Sequence, residues 1–121
     1  MTNPRAWLEK PELFENQPDG SEQLSPAGKA KIDEAMAEFG DGAFGRAIIV
    51  EGYSSTGDTE AQFATSRVRA TLVRHYLQTR FGLDSRDVGI VPLRGLPPPN
   101  TNKKNWDGVC LVLLKPRASA R

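Results

Sequence analysis

Apolar positions along the chain fall into short, nearly continuous runs and longer stretches with helical spacing. Ala47-Ile48-Ile49-Val50 and Val109-Cys110-Leu111-Val112-Leu113-Leu114 are of the first kind. They read as strands covered on both faces, the second running from Val109 to Lys115. Val88 to Leu93 is a further strand, placed after the turn Asp84-Ser85-Arg86-Asp87. Between the first and third of these strands, Phe63, Ser66, Ala70, Val73, Leu77 and Phe81 recur on one side of a helix predicted from about Glu60 to Phe81. Gly82 ends it. Thr59-Glu60-Ala61-Gln62 has the spacing of a capping box at its start. Val68, Leu72 and Tyr76 form a second stripe, which predicts contact with another helix or with the N-terminal arm, or a surface for a partner.

Ile32, Ala35, Met36 and Phe39 mark an earlier helix, with Ser25 as N-cap, Pro26 in its first turn and Gly40 as a left-handed stop. Residues 1–12, with prolines at 4 and 11, read as a linker or an N-terminal arm. Glu12 to Asn16 is a candidate short strand, followed by turn chemistry at Gln17-Pro18-Asp19-Gly20. Gly95 to Asn105, containing Pro97-Pro98-Pro99, is a proline-stiffened loop, and 116–121 a flexible tail. Strand, helix and strand at this spacing predict a right-handed parallel crossover. The glycine-bearing loop from Gly52 to Asp58 then lies at a strand's C-terminal end, next to a helix start, where ligands of α/β folds commonly bind.

Composition narrows the chemistry. Sixteen Lys and Arg against fifteen Asp and Glu leave a net charge of +1, which gives no electrostatic case for nucleic acid or an anionic membrane. One cysteine, Cys110, excludes an internal disulfide and a cysteine-based zinc site, and its apolar run predicts a buried structural thiol. His75, the one histidine, stands in no motif. No serine has a partner histidine in a hydrolase pattern, and neither metal-ligand spacing nor a phosphate-binding glycine loop occurs. A non-enzymatic protein with no catalytic residues, no metal and no cofactor is expected. No apolar run reaches membrane-spanning length, and the N-terminus lacks a basic-then-apolar leader pattern.

Gly52-Tyr53-Ser54-Ser55, then Thr65-Ser66-Arg67-Val68-Arg69-Ala70, Val73 and Leu77, together resemble the signature of the OmpA-like, peptidoglycan-associated domain family. Leu13-Phe14 and Leu24-Ser25-Pro26-Ala27-Gly28-Lys29 resemble its opening strand and first helix, so the likeness runs from about residue 13 to 115. The resemblance implies a small two-layer α/β sandwich: a mixed sheet of three or four strands with two main helices on one face. It also implies a periplasmic or cell-envelope setting, with any export signal or anchor in a longer parent. More loosely, the chain resembles OmpA-like tails of mammalian-cell-entry-type envelope proteins.

The family's ligand is a diaminopimelate-containing stem peptide of peptidoglycan. An aspartate takes its ammonium and an arginine its carboxylate, for which the guanidinium fork is suited. The arginine corresponds to Arg69, but the aspartate position holds Ser55. The loop is one residue shorter than usual, and the family's Asn-Arg-Arg-Val is replaced by Asn105-Trp106-Asp107-Gly108-Val109. The resemblance therefore implies a degenerate site with weak or lost peptidoglycan binding, and an envelope protein as partner. The alternative is a working binder in which Asp58 replaces the lost acid. Tyr53 and Trp106 are expected at the rim of the same corner. In the degenerate case Arg69 is expected to bridge to Asp58 or Asp107, or to bond a loop carbonyl.

Overall fold

The computed structural model describes residues 4–40, 46–94 and 107–114. The elements in chain order are β1 (Arg5–Glu9), α1 (Lys10–Leu13), β2 (Phe14–Asn16), β3 (Glu22–Leu24), α2 (Pro26–Phe39), β4 (Ile48–Ser54), α3 (Thr59–Phe81), β5 (Val88–Arg94) and β6 (Gly108–Leu113). The main sheet is four-stranded in the order β1-β6-β4-β5. β4 and β5 pair in parallel, as the crossover through α3 requires, while β6 is antiparallel to both β4 and β1. The mixed sheet and the two main helices match the expected two-layer arrangement. The fourth strand does not come from the expected place.

That strand is Arg5–Glu9, inside the segment read as a linker or arm. Its two prolines flank the strand at 4 and 11 and leave every amide between them free for the ladder with β6. Leu8 is buried in the core and Trp7 packs on the opposite face, an alternation too short to stand out in the sequence. The short strand expected at 12–16 is β2, which pairs with β3 in a separate two-stranded sheet.

The core lies between the sheet and the helices. Ile48 and Val50 of β4, Val109, Leu111 and Leu113 of β6, and Ala70, Val73 and Leu77 of α3 meet Ile32, Ala35 and Met36 of α2. Phe63, expected on the inner face, is instead 37% exposed near the start of α3. Tyr76 of the second stripe donates to Asp33 of α2 at 2.8 Å, so contact between the two helices accounts for that part of it. Val68 remains 51% exposed. The helix ends are glycines, but with different geometry. Gly82 is left-handed, as expected, whereas Gly40 has φ 85 and ψ 179, a region essentially reserved for glycine.

Gly52 sits within β4 rather than in the loop that follows it. A Cβ there would lie 2.0 Å from the Ser66 carbonyl oxygen of α3. The residue is needed for contact between helix and strand, and this contact sets the height of α3 over the sheet. Cys110 is buried, as expected of a structural thiol.

Candidate functional site

The C-terminal end of β4, the loop Ser55–Asp58, the first half of α3 and the β2–β3 hairpin surround one corner of the domain. Its centre is Arg69. The closeness of Ser66 to Gly52 brings this turn of α3 onto the end of β4, and the guanidinium reaches back towards the helix N-terminus. The side chain is only 4% exposed.

Among the described residues, the guanidinium donates to two carboxylates and a backbone carbonyl. Nη1 donates to the Tyr53 carbonyl at 2.9 Å and to Asp107 Oδ1 at 3.0 Å. Nε and Nη2 donate to the two carboxylate oxygens of Glu22 at 2.9 and 3.1 Å, a fork-on-fork pair. Lys10 Nζ stands 3.9 Å from the same Glu22 carboxylate. Burial opposes the charge on Arg69, but Glu22 and Asp107 outweigh it and hold the guanidinium protonated. Among the described residues, two cations and two carboxylates thus make a locally neutral cluster.

Asp107 is fixed from the other side. The Ser55 amide donates to Oδ1 at 2.9 Å and the Ser55 hydroxyl to Oδ2 at 2.6 Å. Asp107, just before β6, thus sits beside Ser55 and touches the arginine directly. Burial raises the Asp107 pKa, but the two Ser55 bonds and Arg69 outweigh it and hold the carboxyl below the usual aspartate range. A lowered folded-state pKa adds stability that is present above the unfolded value of about 3.9 and is lost as pH falls through the folded one. Acid titration of the melting temperature should show a decline below about pH 4, and Asp107→Asn should flatten that limb while lowering stability at neutral pH.

The other expected site residues are scattered. Asp58 is the N-cap of α3, its Oδ1 accepting from the Ala61 amide at 2.8 Å. The cap is thus one residue earlier than the capping-box reading of Thr59, because a carboxylate is the better partner for free amides at a helix start. Gln62 turns back to the Gly57 carbonyl instead. Eleven residues of helix separate Asp58 from Arg69, about 16 Å along the axis. Tyr53 contributes only its carbonyl to the corner. Its ring lies on the opposite face of the sheet, because the neighbouring Gly52 faces α3 and side chains alternate. There it is edge-on to Trp7 at 5.6 Å and donates to Glu51 at 2.9 Å. Burial and Glu51 push its phenol well above the ordinary tyrosine value. Trp106 and Pro97-Pro98-Pro99 lie outside the described residues.

An open cleft of about 540 Å³ adjoins Arg69 and Glu22. Its walls include Lys10, Asn16, Ser21, Thr56, Thr65 and Val68. They carry hydroxyls and amides but few titratable groups. Among the described residues no group of histidine, cysteine or acid side chains is arranged to hold a metal.

This architecture has known relatives. The OmpA family model matches residues 18–108, most of the chain. The chain belongs to the OmpA family. Among solved structures, the OmpA-like domain of FopA1 from Francisella tularensis subsp. tularensis SCHU S4 is similar with TM-score 0.59 and 20% identity, covering 76% of this chain. The match spans 63% of the length of that FopA1 chain. The periplasmic domain of Helicobacter pylori MotB is similar with TM-score 0.62 and 15% identity, over 93% of this chain and 81% of that one. Identities this low establish the shared OmpA-like fold. No curated protein sequence matches significantly.

Glu22 is the site residue that the sequence reading did not single out. It lies 47 positions from Arg69, in a polar stretch where one acid looks like any other.

Proposed function

We propose that this OmpA-family domain is a non-enzymatic module of the bacterial cell envelope whose stem-peptide site is degenerate. It would act as a structural or protein-interaction part of a larger exported protein. OmpA-like domains are typically peptidoglycan-associated binding modules, and both structural neighbours belong to that fold group. No helix among the described residues is long and apolar enough to cross a membrane.

One observation carries the degenerate reading. The arginine that would receive a ligand carboxylate already donates to two carboxylates and a carbonyl of its own chain, and is nearly inaccessible. An incoming carboxylate must break a fork-on-fork pair before it gains an equivalent one, so the exchange yields little net free energy. The acid beside that arginine is Asp107, whose oxygens already accept three hydrogen bonds from Ser55 and Arg69. The competing arrangement, in which Asp58 and Arg69 grip one amino acid, asks residues whose backbones stand about 16 Å apart along α3 to hold an ammonium and a carboxylate attached to the same carbon, with Asp58 already engaged as the helix cap.

Isothermal titration with a diaminopimelate-containing muropeptide tests this. The expected result is millimolar or weaker binding, unchanged by Asp58→Ala. Micromolar binding abolished by Asp58→Ala and by Arg69→Lys would establish a working peptidoglycan site instead.

A further inference from the structure

We propose that the β2–β3 hairpin is a latch whose Glu22 carboxylate fills a carboxylate-binding subsite at the end of the cleft, and that releasing it opens this subsite to the terminal carboxylate of a ligand. The inference deepens the degenerate-site reading and rests on it, because it says which group closes the site.

The two carboxylates on Arg69 are not equivalent. Asp107 is anchored on three sides, by the Ser55 amide, the Ser55 hydroxyl and Arg69, and its backbone carbonyl accepts from the Lys10 amide at 3.0 Å. Among the described residues, the Glu22 carboxylate is held by the Arg69 fork and, more distantly, by Lys10. Its own strand belongs to a two-stranded sheet of three residue pairs. Phe14 and Leu24 at its base pack on the core, while three residue pairs alone are marginally stable, so its outer end is among the segments most readily opened. The base is pinned, since the Ser25 amide donates to the Leu13 carbonyl and Gly28 lies directly against Leu13. The tip, Pro18 to Ser21, is exposed. A hairpin tethered at its base and free at its tip can swing Glu22 off the guanidinium.

Removing Glu22 leaves Arg69 paired with Asp107 and the Tyr53 carbonyl, so the charge is not stranded and the fold should persist. What becomes available is a guanidinium edge with two parallel donors, a nearby lysine, and an adjoining cleft lined by Ser21, Thr56 and Thr65. That set suits a carboxylate at the end of a polar chain. A tethered competitor acts at an effective concentration of millimolar or more, and a site free only part of the time binds more weakly by that fraction.

The test is calorimetric titration of the wild type, Glu22→Ala and Glu22→Gln with N-acetylalanine, whose one charge is its carboxylate, and with N-acetylalanine amide. Circular dichroism establishes that each variant is folded at the assay temperature. Glu22→Ala should bind the acid at least tenfold more tightly than the wild type does, with no such gain for the amide. Adding Lys10→Ala should reduce that gain. Folded Glu22 variants that bind the acid no better than the wild type would overturn the latch, as would equal gains for acid and amide, which indicate only a widened cleft. Tight, Asp58-dependent binding of muropeptide by the wild type would instead defeat the degenerate-site reading, whatever the Glu22 variants do.

Discussion

Arg69→Ala should lower the melting temperature by on the order of 10–20 °C. The substitution deletes four hydrogen bonds at once. It also leaves Asp107, 7% exposed, facing Glu22 without the cation between them. Breaking a buried ion pair by removing one partner typically costs about 3–5 kcal/mol, because the remaining charge stays desolvated. Arg69→Lys should recover little of this. An ammonium is a single point charge and cannot span the Tyr53 carbonyl, Asp107 and both oxygens of Glu22 together. Thermal denaturation followed by circular dichroism checks both variants. A change of under about 1 kcal/mol for Arg69→Ala is what an exposed, ligand-ready arginine would give.

Gly52→Ala should be destabilising by at least the upper part of the range of about 1–3 kcal/mol seen for overpacked interiors. The sign is informative. Where backbone and space allow, replacing glycine by alanine stabilises by about 0.4–1 kcal/mol through the unfolded chain. Here the new methyl would meet the Ser66 carbonyl oxygen at 2.0 Å and the Ala70 Cβ at 3.2 Å. Neither is the far end of a flexible side chain, so α3 must lift from β4. Lifting it also draws Arg69, one turn beyond Ser66, away from the Tyr53 carbonyl. Denaturant unfolding of Gly52→Ala should therefore show a lowered midpoint. Restored or raised stability would mean that α3 does not press on β4 as described.

The elements carried by local pattern were legible in the sequence. β4, α3, β5 and β6 follow from apolar runs and helical spacing, and the N-cap Ser25 and the terminating Gly82 are where turn chemistry puts them. β1 was not, because five residues between prolines show too little alternation to distinguish a strand from an arm. The site was half legible. The resemblance led to Arg69 and to the missing acid at Ser55, and Asp107 was among the partners expected for an arginine without its ligand. Glu22 was invisible, since its meeting with Arg69 depends on how a hairpin folds over a helix that begins 37 residues later. Tyr53 shows the opposite limit. Its neighbours in sequence belong to the corner, but strand alternation sends its ring to the far face, where Trp7 and Cys110 pack against it.

These observations give one physical picture. An OmpA-family corner has kept its guanidinium and has satisfied it with its own acids, one rigidly held from β6 and one carried on a small hairpin. The side-chain Nε–H of Arg69 reports on this state most directly. In a ¹⁵N-labelled sample at neutral pH its resonance should be resolved and slow to exchange with solvent, and should show no saturating shift with diaminopimelate-containing muropeptide in the micromolar range. A fast-exchanging Nε–H that shifts saturably with the wall fragment would contradict the account.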